Sequence, residues 1–362
     1  MNNHNLFQFR LANQHLAGNP LKTAVQLVSH LGAVQAQDYF GASWAVGQRL
    51  RDAEDLTITK AFNEGQILRT HMMRPTWHFV TPEDIRWIQA LTAPRVNVIN
   101  GYMYRQQELD DALFVRTNDI IARAVEGGQY KTRTELGQIL EQNGIPAKGF
   151  RLGYILMRAE LDALICSGPR HGKQFTYALL DERAPQAHSL PADESLAQLT
   201  RRYFTGHGPA TVEDFAWWSG LTKTQARAGL EMVKSDFVQE TVDGRTYWLL
   251  PDLPQIKEPS PTAHLLPNYD EYLISYRSGD PFLDPAHADL IETQNPTFAH
   301  FLIIDGRILG TWRRDLEKNS VLLTLRRFTI LTEAQETAVR TAGTAFARFL
   351  NLDIQYQSAP SY

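Results

Sequence analysis

The sequence predicts an α+β fold: three tandem winged-helix modules, each a helix-turn-helix plus a β-hairpin, followed by a β-rich, barrel-like C-terminal domain. Three observations predict it. A helix, tight turn, helix, hairpin order reads clearly between residues 211 and 250. The same order recurs twice upstream, at a spacing not far from a hundred residues. Beyond a proline-rich stretch the patterning changes to strands.

The third module is the most legible. Thr211 opens a helix carrying Phe215, Trp217 and Trp218, and Gly220 stops it at a C′ position. Thr222 reopens at once, with Gln225 at capping-box spacing, and Ala226, Leu230 and Val233 form one apolar stripe. Phe237–Val242, the turn Asp243-Gly244 and Arg245–Leu250 then read as a hairpin. In the second module Thr132 and Glu135 cap a helix that Asn143-Gly144 ends, Lys148–Asp162 forms the next, and Ala163–Cys166 with Gln174–Leu180 forms a hairpin. In the first, Ala24, Leu27, Val28 and Leu31 repeat at helical spacing, helices follow at Tyr39–Leu50 and Leu56–Asn63, and Gln66–Met72 with Thr76–Val80 makes the hairpin.

Four prolines in Pro251–Pro261 mark a boundary. Strands are expected at His264–Leu266, Phe298–Ile304, Arg307–Trp312 and Val321–Phe328, and a closing amphipathic helix at Glu333–Leu350. The domains are expected at 1–108, 109–190, 191–254 and 255–362.

Composition restricts the function classes. Apolar residues at 43% and charged residues at 21% exclude wholesale disorder. A single cysteine, Cys166, excludes a disulfide framework and a Cys-built zinc site, and fits a reducing cytoplasm. Met1–Arg10 has no apolar core of a signal peptide, so a cytoplasmic protein with no membrane association is expected. The net charge is −4, unevenly spread: residues 1–180 hold 19 Lys and Arg against 16 Asp and Glu, residues 181–362 hold 17 against 24. The first half can therefore offer a local anion site, although the whole surface is not basic.

Winged helices suit duplex DNA, because a helix can enter the major groove while the hairpin reaches a neighbouring groove or the backbone. They also serve as protein-docking modules. Candidate phosphate donors crowd the hairpins: Arg69, His71 and Arg74 at the first, Arg170, His171 and Lys173 at the second, and Arg201, Arg202 and His207 before the third helix pair. Solvated charges on exposed turns would look the same. Gln35-Ala36-Gln37 follows a helix that Gly32 ends. If the segment is extended, residues i and i+2 share a face, and two primary amides converge on one water or sugar–phosphate oxygen. Other chemistries fit worse. Gly168–Lys173 is one residue short of a phosphate-binding P-loop, His71 and His78 lack an acidic partner at ligand spacing, and no Gly-x-Ser-x-Gly occurs. Trp217, Trp218 and Trp248 read as core and wing packing.

Three segments carry a resemblance across nearly the whole chain: Gly32–Gln37, Leu68–Val80 (Leu-Arg-Thr-His-Met-Met-Arg-Pro-Thr-Trp-His-Phe-Val) and Leu265–Leu273 (Leu-Leu-Pro-Asn-Tyr-Asp-Glu-Tyr-Leu). On these the chain resembles the AlkZ-like winged-helix DNA glycosylases. The resemblance implies three winged helices and a β-barrel embracing DNA, and hydrolysis of the N-glycosidic bond of alkylated purines, with some members unhooking interstrand crosslinks. The family motif is Gln, an apolar residue, then Gln or Asp, so Gln35 and Gln37 become the expected catalytic pair. Arg69, His71, Arg74, Trp77 and His78 are expected to line the cleft, with Asp270, Tyr272 and Arg277 from the barrel. The partner is then damaged double-stranded DNA, bound by a monomer that needs no metal and no cofactor and joins the nucleoid when on DNA. The competing reading is a non-catalytic DNA-binding regulator, separated from the first by lesion-dependent base release.

Overall fold

The structure, a computed structural model, describes residues 3–252, 261–277, 282–291 and 299–358. Helix α1 (Asn3–Asn13) precedes α2 (Ala24–Leu31), β1 (Val34–Gln35), α3 (Tyr39–Gly47), α4 (Asp55–Asn63), β2 (Leu68–Met72), β3 (Thr76–Val80) and the long α5 (Ile85–Gln106). Next come α6 (Asp111–Val125), β4 (Lys131–Thr132), α7 (Arg133–Gln142), α8 (Gly149–Leu161), β5 (Ile165–Ser167), β6 (Thr176–Leu179) and the short α9 (Leu180–Arg183). Then follow α10 (Ala192–His207), α11 (Val212–Ser219), α12 (Lys223–Val233), β7 (Val238–Val242) and β8 (Arg245–Leu249). The C-terminal region holds β9 (Ala263–Leu266), α13 (Glu271–Ile274), β10 (Phe301–Ile304), β11 (Arg307–Leu316), β12 (Ser320–Arg327), α14 (Glu333–Leu350) and β13 (Asp353–Ser358).

The order helix, short strand, helix, helix, hairpin occurs three times. In each, the short strand pairs with the second hairpin strand: β1 with β3, β4 with β6, and Ala210 with Trp248 of β8. Local chemistry makes these boundaries. Capping boxes start α2 (Thr23, Gln26), α7 (Thr132, Glu135), α11 (Thr211, Asp214) and α12 (Thr222, Gln225), each satisfying donors that a helix start leaves open. Asp243 (φ 48°) and Gly244 (φ 74°) are both left-handed, as a two-residue hairpin turn requires. Gly220 is left-handed (φ 71°), and a Cβ there would lie 2.2 Å from the Met73 carbonyl oxygen, so the α11 C-terminus sits directly on the β2–β3 turn.

Two departures from the expected fold stand out. Helices α1, α5, α6 and α10 were not anticipated. The last two are the leading helices of the second and third repeats, and α10 buries Leu196, Leu199, Tyr203 and Phe204. The C-terminal strands form an open sheet rather than a closed barrel, in the order β13-β12-β11-β10-β9. The chain leaves β12, crosses as α14 and returns as β13 parallel to β12, so among the described residues β13 and β9 remain as edges. Residues 253–260 of the expected linker and residue 298 of the expected strand lie outside the described residues.

Cores do not follow chain order. Residues 104–177 contain a separate cluster built on Phe114, Leu136, Ile155 and Tyr177. The first repeat and the C-terminal sheet share another, in which the Trp44 ring lies 5.0 Å from Phe346 and 5.1 Å from Phe349 of α14. A third joins α1, the β2–β3 hairpin, the third repeat and Tyr272. Strand β1 therefore lies where N- and C-terminal elements meet. No helix among the described residues is long and apolar enough to cross a membrane.

Candidate active site

The segment after Gly32 is extended. Val34 and Gln35 pair with Phe79 and His78, and the Ala36 N–H continues the ladder to the Trp77 carbonyl at 2.7 Å. Strand alternation thus places Gln35, Gln37, Thr76 and His78 on one face, and Arg69, His71, Trp77 and Phe79 on the other. The two amides differ in setting: Gln35 is buried and Gln37 exposed. Gln35 Oε1 accepts from Arg74 Nη2 at 2.8 Å, and Gln37 Oε1 accepts from the Trp77 N–H at 3.3 Å. A guanidinium and a backbone N–H can only donate, so chemistry itself fixes which end of each amide is oxygen.

Behind Gln35 lies a buried polar knot that the sequence reading did not single out. Glu271, 1% exposed, accepts the Gln35 backbone N–H at 2.6 Å through Oε1. Its Oε2 accepts the Trp218 indole at 2.9 Å and the Ser275 hydroxyl at 2.6 Å, and His207 Nε2 lies 3.5 Å away. Burial opposes ionisation of Glu271, yet His207, Ser275 and the Gln35 N–H outweigh it and hold the carboxyl at about 2. Burial lowers the Arg74 guanidinium from its ordinary value, with the Glu271 charge opposing. Burial, reinforced by Arg74, pushes the His78 imidazole down to about 3. His78 Nδ1 faces the Thr76 carbonyl at 3.0 Å and must donate to it, so Nε2 carries the lone pair. His78 Nε2, Thr76 Oγ1 and Arg74 Nε are buried without a protein partner among the described residues.

The other expected site residues divide by accessibility. Arg69 is 7% exposed; its Nε donates to the Ala36 carbonyl at 2.9 Å, and its guanidinium sits between Trp77 (4.2 Å) and Phe175 (4.6 Å). Burial lowers it to about 10, which leaves it cationic. His71 is buried, hydrogen-bonded to Glu160, with its ring 4.2 Å from that of Trp77 and tilted 39° to it. Arg170 lies over Tyr39 at 4.8 Å, while His171 and Lys173 are exposed at the tip of the β5–β6 hairpin.

Asp270, Tyr272 and Arg277 do not form one surface. Asp270 is buried in a two-pronged pair with Arg49 (2.7 and 2.9 Å), and the Tyr272 hydroxyl is spent on the Gly306 carbonyl at 3.1 Å. Both are corrected from DNA contacts to internal supports, because their side chains are enclosed and already bonded. Arg277 is exposed, with its backbone N–H on Asp214 at 2.8 Å. Of the cations before the third helix pair, Arg201 pairs with Asp236 and Arg202 with Asp84, and His207 is buried. Trp217 is also corrected: it is 47% exposed and lies 5.5 Å from Arg74, whereas Trp218 is core. Trp217 could have been separated from Trp218 by helical phase alone.

The family model described as "DNA glycosylase AlkZ-like" matches residues 28–349. The chain belongs to the AlkZ-like DNA glycosylase family. It is accordingly a DNA glycosylase, a hydrolase acting on N-glycosyl bonds. Among curated proteins it is 23% identical over 323 residues to an interstrand DNA cross-link repair glycosylase of Streptomyces sahachiroi, covering 85% of this chain and 86% of that protein. Among solved structures, the Streptomyces sahachiroi DNA glycosylase AlkZ matches with a TM-score of 0.81 at 21% identity, covering 98% of this chain and 99% of that one, which shows a shared fold.

Proposed function

We propose that this family member is a monofunctional glycosylase that releases purines made cationic by N7- or N3-alkylation from double-stranded DNA, with Gln35 and Gln37 orienting the water that attacks C1′. The observation that carries the reading is the pair of amides on one strand face, each with its oxygen fixed by a donor. A carbonyl oxygen has a second lone pair. Two such oxygens can accept both protons of a water and leave its own lone pair aimed at C1′, an effect of orientation. Thr76 Oγ1 and His78 Nε2, buried on the same face and unpartnered, supply further polar groups for bound water.

The titratable groups around Gln35 support a cationic leaving group. His78 is neutral and Glu271 ionised at neutral pH, and the Arg74 guanidinium does not give up its proton, so none of the three is a ready proton donor. A neutral purine needs a proton to depart, whereas an N7-alkylated one leaves as a neutral base. Glycosidases facing poor leaving groups use a carboxylic acid for that step.

In this reading the three repeats are winged helices that embrace the duplex as a monomer, with module boundaries near residues 108, 190 and 254. Lys173, His171 and Arg277 reach phosphates, while Arg69, packed behind β1 against Trp77, supports the strand from its other face. An open cleft would also admit a crosslinked purine, which cannot be flipped into a closed pocket. The test is release of base from a duplex carrying one N7-methylguanine, comparing wild type with the Gln35→Ala/Gln37→Ala double variant. Abasic sites with wild type and none with the variant support the reading; equal release by both overturns the assigned pair. A duplex crosslinked through two guanine N7 atoms tests unhooking separately.

A further inference from the structure

Strand β1 is the edge of its three-stranded sheet. The Ala36 N–H points to β3, so the Gln35 N–H points away from the sheet. Buried there without a partner it would cost about 1–3 kcal/mol. Glu271 takes that N–H, from 236 residues further along the chain. Any neutral acceptor would satisfy the N–H. The acceptor is instead an enclosed carboxylate, bonded also by the Trp218 indole and the Ser275 hydroxyl, with His207 Nε2 3.5 Å away. Arg74 grips the side-chain oxygen of the same glutamine. One residue is thus bracketed by opposite charges, the anion on its backbone and the cation on its amide.

Resting on the glycosylase reading above, we propose that Glu271 is a positioning residue for the reaction: through the Gln35 N–H it fixes where the Gln35 amide stands, and Arg74 fixes how that amide is turned. Charge is the point of the arrangement. In Glu271→Gln one end of the new amide must present N–H groups, either to the Gln35 N–H or to the Trp218 indole N–H, neither of which can accept, and one side of the bracket opens. Glu271→Asp keeps the charge but retracts it by one methylene.

The experiment measures three properties of wild type, Glu271→Gln, Glu271→Asp and Trp218→Phe: single-turnover release of N7-methylguanine from a duplex, duplex affinity, and hydrogen exchange of the backbone across residues 33–37. Glu271→Gln is expected to slow release about tenfold or more, the scale of a small misplacement of a positioned group. Its duplex affinity should stay within about twofold, because Glu271 is 1% exposed and its carboxylate is taken up by Gln35, Trp218 and Ser275 rather than offered to phosphate. Glu271→Asp should fall between Glu271→Gln and wild type. Exchange should accelerate at Gln35. A purely structural Glu271 would lower the melting temperature and leave the rate of the folded protein unchanged, and that result overturns the proposal. Should Glu271→Gln fail to fold, Trp218→Phe, which removes one donor from the carboxylate, is expected to reduce release several-fold, and a wild-type rate there overturns it. If wild type releases no base, the glycosylase reading fails for that adduct, and exchange alone decides this proposal: unchanged protection of the Gln35 N–H refutes the clamp, and faster exchange confined to residues 34–37 supports it.

Discussion

The surroundings of Gln35 and the tip of the β5–β6 hairpin both carry charge, yet they use it in opposite ways. Around Gln35, Glu271 and the neutral His78 are buried and Arg74 is part-buried, and the two charges are tied to one residue, Arg74 to the Gln35 amide and Glu271 to the Gln35 N–H. At the hairpin tip, His171 and Lys173 stand in solvent beside the left-handed Gly172 (φ 60°). Interior charge in low dielectric sets geometry and stability, while surface charge is screened and acts on encounter with an anionic partner. Substitutions inside should therefore change rate or stability at constant DNA affinity, and substitutions at the tip should do the reverse.

The largest effect is expected at Asp270. Its carboxylate neutralises Arg49, whose remaining N–H groups are held by Gln14 and the Ala45 carbonyl. Asp270→Ala leaves a buried guanidinium unpaired and should cost about 3–5 kcal/mol in a denaturant unfolding curve. Unaltered stability with reduced DNA affinity would instead return Asp270 to the DNA surface. Gln35→Ala comes next. It removes an amide that Arg74 has already oriented, so release of N7-methylguanine should slow about 10²-fold while duplex affinity holds. An affinity loss matching the rate loss would move Gln35 from the reaction to binding.

How much of this was legible in the sequence depends on separation along the chain. The third repeat could be read from Thr222, Gln225, Asp243 and Gly244, whose signals act within four residues, and the extended state of Gln35–Gln37 followed from Gly32. Helix α10 was missed although Leu196, Leu199, Tyr203 and Phe204 recur at helical spacing and are all buried. Glu271 was passed over between Asp270 and Tyr272, both of which were singled out, although it is the one that touches Gln35. Nothing local separates the three. Which of them meets β1 is decided by how α13 packs, 236 residues from its partner. The closed barrel failed for a similar reason: the parallel return of β13 beyond α14 is a long-range pairing that strand propensity does not encode.

A smaller effect tests the interior through pH. The His78 ring ordinarily titrates at 6.5, and burial lowers it to about 3 in the folded chain. The unfolded chain therefore gains a proton between these values that the folded chain refuses. Stability is complete above 6.5 and falls with pH below it, by about 1.4 kcal/mol per pH unit for this residue. His264 and His30, both lowered to about 4 mainly by burial, act in the same direction. Between pH 6.5 and 5, wild type should lose about 2 kcal/mol more than His78→Gln in urea unfolding. Parallel curves for the two proteins would mean that His78 takes up its proton inside the fold.

The smallest effect belongs to the tip, and it shows itself in slope more than in size. Lys173→Ala removes one exposed cation from the hairpin and touches nothing in the Gln35 surroundings. If Lys173 meets a phosphate, a plot of log affinity against log salt for duplex binding should flatten by about 0.9, the counterion released by one contact. Affinity at moderate salt should fall only a few-fold, equally on damaged and undamaged duplexes, since a phosphate contact carries no information about the base. Release at saturating enzyme should match wild type, because once the complex forms the tip has no part in placing the water. A slope unchanged in Lys173→Ala, His171→Ala and the double variant would take this hairpin off the DNA and leave exposed Arg277, on the chain's other half, as the next cation to test.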